Sequence, residues 1–100
     1  MVDPMLDSIA RIRHRPAMYI GSHSAKAMFL YLAGYSGALQ DHTKIDLTPY
    51  MEFLESLYSK YGRGGGGHSW AWVLAEKTGS DAAALDLFFD ELEAFLKKKA

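Results

Sequence analysis

The chain contains no cysteine, which excludes disulfides, thiolate nucleophiles and Cys-ligated metal sites and fits a reducing compartment. Its prolines are limited to Pro4, Pro16 and Pro49, each placed to open or end a helix rather than to stiffen a linker. No segment alternates apolar and polar residues for long enough to propose a strand. The most apolar run, AMFLYLAGYSGAL (27–39), is too short to cross a bilayer. The opening MVDPMLDSIARIR lacks the layout of a secretory signal, so a cytoplasmic protein without a membrane anchor is expected. Neither sign of charge dominates: 11 Lys plus Arg against 12 Asp plus Glu give a formal net charge of -1, which supports neither a nucleic-acid binder nor an acidic mimic of one. The four histidines, His14, His23, His42 and His68, show no HxxxH or HExxH spacing, so no metal and no cofactor is expected.

What remains is 100 residues, 49% hydrophobic and 23% charged, the composition of one ordinary globular domain spanning residues 1–100. The turn signals divide it into about five helices, and the expected fold class is all-α, a compact single-domain bundle. Asp3 followed by Pro4 is an N-cap with proline at the first helical position, and Met5, Ile9 and Ile12 follow at one face. That helix must stop before Pro16. Ser22 or Ser24 caps a second helix whose stripe is Met28, Leu32, Tyr35 and Leu39. Apolar on most sides, it is expected to be central, with Gly34 and Gly37 there to admit a neighbouring backbone. Thr48-Pro49 opens a third helix, carrying Tyr50, Leu54, Leu57 and Tyr61 on one face and ending at Gly62. A fourth runs from a Ser69 cap through Trp70, Val73 and Leu74 to Gly79. The last starts at Ser80 or Asp81 and turns Leu85, Phe88, Phe89, Leu92, Phe95 and Leu96 inward, with Lys97 to Lys99 at the end favoured by the helix dipole.

The segment 62–68, GRGGGGH, reads as a flexible loop because ordering four consecutive glycines has a high entropy cost. It lacks the Lys-Ser/Thr pair and the preceding strand of a phosphate-binding loop. His68 beside Ser69 suggests a nucleophile and base, but adjacent residues rarely orient one another for proton transfer and Ser69 is already needed as a cap. No catalytic residue is assigned, and an enzyme is not expected.

Two groups of residues qualify as contacts to a protein partner. Asp86, Asp90 and Glu93 fall at i, i+4 and i+7 on the last helix and form one solvated acidic face. Arg11, Arg13, His14 and Arg15 make a patch of opposite charge at the end of the first helix, too small and without interleaved aromatics to bind nucleic acid. Trp70 and Trp72, two apart on one helix, cannot share a face, so one of them is expected at the surface beside the glycine loop and His68.

The most specific motif is RPAMYIG (15–21). Physically it is a connector: Pro16 ends a helix, Met18 and Ile20 can insert between helices, and Gly21 frees the next turn. The string resembles the N-terminal segment of the B subunit of DNA gyrase and its relatives. In those ATPases the following helix carries an acidic base and a magnesium-binding Asn, and AKAMFLYLAGYSGAL (25–39) has neither, so ATP chemistry is not implied. Over most of its length the chain is similar to a group of small bacterial all-helical proteins, through RIRHRPAMYIG, FLYLAGYSGAL, MEFLESLYSKYG, HSWAWVLAEKTGS and ALDLFFDELEAF. Some of these resemble immunity proteins. The resemblance implies a non-catalytic antitoxin that binds and neutralises a cognate toxin, with Asp86, Asp90, Glu93, Trp72 and His68 as candidate contacts. The other reading is a small helical adaptor or oligomerisation subunit.

Overall fold

The computed structural model describes residues 3–62 and 69–99. Among them the chain forms six helices and no strand: α1 (Pro4–His14), α2 (Pro16–Ile20), α3 (Ala25–His42), α4 (Thr48–Tyr61), α5 (Trp70–Thr78) and α6 (Asp81–Lys99). The expected all-α bundle is what the chain builds. The additional helix is α2, where RPAMYIG was read as a connector. Proline at its first position pre-sets the helical φ, and Gly21 at φ 81° stops it after five residues. Five residues cannot bury a face on both sides. Ile20 packs on the core, whereas Met18 is 71% exposed and does not insert between helices.

The N-caps decide where the long helices begin. One oxygen of Asp3 accepts from the backbone N–H groups of Met5 at 2.8 Å and Leu6 at 3.1 Å. Ser24 Oγ accepts from Ala27 N at 3.1 Å, and the Asp81 carboxylate, at the head of α6, accepts from Lys26 N at 3.0 Å and from the Ser24 hydroxyl. These bonds satisfy N–H groups that a helix leaves without intrahelical partners. Thr48 does not cap α4. It is the first helical residue, and Asp46 accepts its N–H at 2.9 Å. Ser69 occupies the cap position of α5, but its hydroxyl makes no capping bond.

The core follows the stripes closely. Met5, Ile9 and Ile12 of α1, Met28 and Leu32 of α3, Tyr50, Phe53 and Leu57 of α4, and Leu85, Phe88, Phe89 and Leu92 of α6 are all buried. Leu96 was read as inward and is 45% exposed, because α6 runs past the neighbours that would cover its last turns. The central helix is α5 rather than α3. It packs against α3, α4 and α6 and buries Trp70, Ala71, Val73 and Leu74, nearly consecutive positions that can all be covered only from several sides. In α3 the fully buried residues are confined to Ala25, Met28 and Leu32; Phe29, Tyr35 and Leu39 pack partly buried against the core, and Leu30, Tyr31, Ala33 and Ala38 are exposed. At the centre the Trp70 indole stacks on Phe88, with centroids 4.1 Å apart and planes 12° apart, and Phe53 meets Phe88 edge-on at 5.3 Å. Burying a side chain of this size contributes about 2–3 kcal/mol.

Candidate partner-binding surface

The acidic trio of α6 is exposed and is already engaged within the chain. His23 Nε2 lies 2.8 Å from Asp86 Oδ1. The Arg13 guanidinium lies 3.8 Å from Asp90 and donates to Glu93 at 3.2 Å, and Lys97 Nζ is 3.4 Å from the other Glu93 oxygen. Hydrogen bonds from Arg13 first, and then from Lys97, hold the Glu93 carboxyl below the usual carboxylate range. Arg13 therefore stands beside the acidic face, because the C-terminal turn of α1 reaches the middle of α6. Local periodicity places residues on a face of their own helix and carries no information about which helix that face meets. For that reason Arg13 and His23 were not recognised as partners of the trio.

Between α1 and α6 lies a groove of about 510 Å³, floored by Leu6, Ile9, Ala10, Leu92 and Leu96 and rimmed by Arg13, His14, Glu93 and Lys97. A second depression, of about 540 Å³, sits between α4 and α6 over Phe95, where Lys60 Nζ contacts Glu91 at 2.8 Å.

The two tryptophans separate as their spacing requires. Trp70 is buried, and Trp72 is 36% exposed. Its indole is held edge-on by Phe29 at 5.9 Å, with Lys26 Nζ 5.3 Å from the ring centroid. Leu30, next to Phe29 on α3, is 64% exposed. A fixed aromatic ring, a cation above it and an uncovered aliphatic neighbour are the components from which protein interfaces draw most of their energy. His68 lies outside the described residues, as does the glycine segment 63–68, so the structure places Trp72 but not the other half of that margin. Ser69 Oγ is buried and bonds to nothing among the described residues.

Polar groups do not converge elsewhere. Among the described residues there is no group of three or more His, Cys, Asp or Glu placed to hold a metal ion, and no helix is long and apolar enough to cross a membrane. No protein-family model, no curated protein and no solved structure matches this chain.

Proposed function

We propose that this chain is a non-catalytic protein-binding domain, and within that class an immunity protein that occludes a cognate toxin through the Trp72 margin of α5 and α3. The observation that carries the reading is the held, partly exposed Trp72 ring with Lys26 above it. Supporting it, the candidate acidic surface is committed to Arg13, His23 and Lys97, which weakens its field and leaves it fewer unpaired charges to offer a cationic cleft. The toxin as partner comes from the resemblance to immunity proteins.

The test is co-expression of the chain with the product of the neighbouring toxin-like reading frame. Trp72→Ala should lose protection while its circular dichroism and melting temperature stay those of the parent. Substitution of Asp86, Asp90 and Glu93 together by Ala should retain protection. Full protection by Trp72→Ala would move the contact elsewhere, and a parent chain that protects against nothing encoded nearby would end the immunity reading.

The adaptor or oligomerisation reading is favoured by a different observation, the outward face of α3, which is apolar and without charge from residue 27 to residue 40.

A further inference from the structure

Gly34 and Gly37 have no explanation inside the chain. Both lie within α3, neither has a positive φ, and a Cβ built on either would meet nothing within 4 Å. Each costs about 1 kcal/mol relative to alanine in a helix interior. Among the described residues no neighbouring backbone approaches either glycine. The face around Gly34 is completed by Leu30, 64% exposed, by the exposed ring of Tyr31, and by the exposed Ala38.

We propose that this face is the interface of a symmetric antiparallel dimer, in which α3 of one copy crosses α3 of a second copy at Gly34. Two properties select a second copy as the occupant. The first is size. Leu30 and Tyr31 stand four and three residues before Gly34, and Ala38 and Gly37 stand four and three residues after it. A twofold axis through Gly34 with the helices antiparallel sets each large side chain over a small one: Leu30 over the partner's Ala38, and Tyr31 over the partner's Gly37. The missing Cβ atoms at Gly34 let the backbones approach more closely than the usual interaxial distance of about 8–10 Å. The second property is charge. Between Lys26 and Asp41 the helix carries no Asp, Glu, Lys, Arg or His. The antiparallel arrangement sets Lys26 opposite the partner's His42, with Asp41 one residue away and within reach of the long lysine side chain, whereas a parallel one would set Lys26 beside Lys26 and Asp41 beside Asp41. A face that is its own complement under a twofold rotation is what an isologous interface requires. The contact is a single pair of helices, each about 27 Å long. A contact of that extent belongs with the small, weak interfaces rather than the standard ones of about 1,600 Å², so the dimer is expected to depend on concentration.

The dimer face shares Lys26 with the Trp72 margin but does not rest on the toxin reading, because its test follows the chain alone. The test uses the whole chain. Sedimentation equilibrium up to about 1 mM should show a monomer–dimer equilibrium. Gly34→Leu should raise its Kd at least about tenfold while leaving the melting temperature of the monomer equal or higher, because leucine is the better helix former and a Cβ at that position meets no described atom within 4 Å. The absence of native cysteine makes single-cysteine variants clean probes. Gly34→Cys should form a disulfide with its own copy on mild oxidation. Leu30→Cys should do so poorly alone and well when mixed with Ala38→Cys. A chain that stays monomeric at that concentration, including one whose α3 face turns out to hold a different protein, overturns the proposal. So does a dimer indifferent to Gly34→Leu, or one in which Leu30→Cys cross-links to itself in preference to Ala38→Cys.

Discussion

The Asp3 carboxylate accepts the backbone N–H of Tyr50 at 3.1 Å through one oxygen, while the other accepts from Met5 and Leu6 at the head of its own helix. One side chain thus caps α1 and α4, elements that start 44 residues apart by their first residues, 4 and 48. Both helix heads are fixed against one another where the core begins, at Met5 and Tyr50. Because Asp3 is almost fully buried, its removal leaves N–H groups that water does not easily reach.

Asp3→Ala should therefore cost more than an ordinary cap, about 2–4 kcal/mol against the usual ~1 kcal/mol. Asp3→Asn keeps an acceptor for one of the two helices and should fall between Ala and the parent. Urea unfolding of the three proteins measures this. Equal midpoints for Ala and the parent would show that the double cap contributes little.

The tryptophans give a contrast within three residues. Trp70 is buried and stacked on Phe88, so Trp70→Ala should destabilise by about 3–5 kcal/mol. Trp72→Ala should change stability by less than about 1 kcal/mol. In the variant that keeps only Trp72, iodide should quench the emission, and with Trp70 alone it should not. Equal quenching would place both rings on the same side of the surface.

That contrast was readable from the sequence, since residues two apart on a helix point to different faces, although both indoles meet the edge of Phe29, which lies between them. The stripes of α1, α4 and α6 were legible for the same reason, apart from Phe53, left out of the α4 face, and Leu96, placed inward by periodicity but lying on the open floor of the groove between α1 and α6. What could not be read depends on which helices meet. The second acceptor oxygen of Asp3 reaches Tyr50, Arg13 reaches the acidic face of α6, and α5 takes the centre from the more apolar α3. Composition ranked α3 as the interior helix, but burial depends on whether every side of a helix is covered, and the helices that touch α3 leave one side of it open, with Leu30, Tyr31 and Ala38 exposed. The candidate contacts divide in the same way: Trp72 was located by spacing alone, whereas the pairing of Asp86, Asp90 and Glu93 required the tertiary fold.

Arg13→Ala tests that pairing. Its hydrogen bond is the first cause of the lowered Glu93 value, so in the variant the Glu93 carboxyl should titrate closer to its ordinary value of 4.5, followed by carbon-detected NMR. A carboxyl whose folded value is depressed adds stability that is present above the unfolded value and is lost as pH falls through the folded one. The parent should thus lose stability on acidification below about pH 4.5 more steeply than Arg13→Ala. Glu93 is an exposed group, so the difference should be small and should shrink with added salt. Identical acid limbs in the two proteins would mean that Arg13 does not act on Glu93 in solution.

At the alkaline end three groups act in the same direction. Burial, followed by the nearby Tyr58 and Asp3, pushes the buried Tyr50 phenol well above its ordinary value of 10.0. Partial burial raises Tyr61, and the hydrogen bond and charge of Glu91 raise Lys60 above 10.5. In the unfolded chain all three release protons near their ordinary values, while the folded chain holds them longer. Their contribution is therefore intact below about pH 10 and is lost as pH climbs through the folded values. Tyr50 should dominate, because a phenolate cannot form at a site that water does not reach without opening the junction of α1 and α4. Urea midpoints taken near pH 9 and pH 11 should fall for the parent and fall less for Tyr50→Phe, which keeps the ring and removes the proton. If the two proteins lose stability equally over that interval, the alkaline sensitivity belongs to the Lys60 and Tyr61 side of α4, and Glu91→Gln should then reduce it.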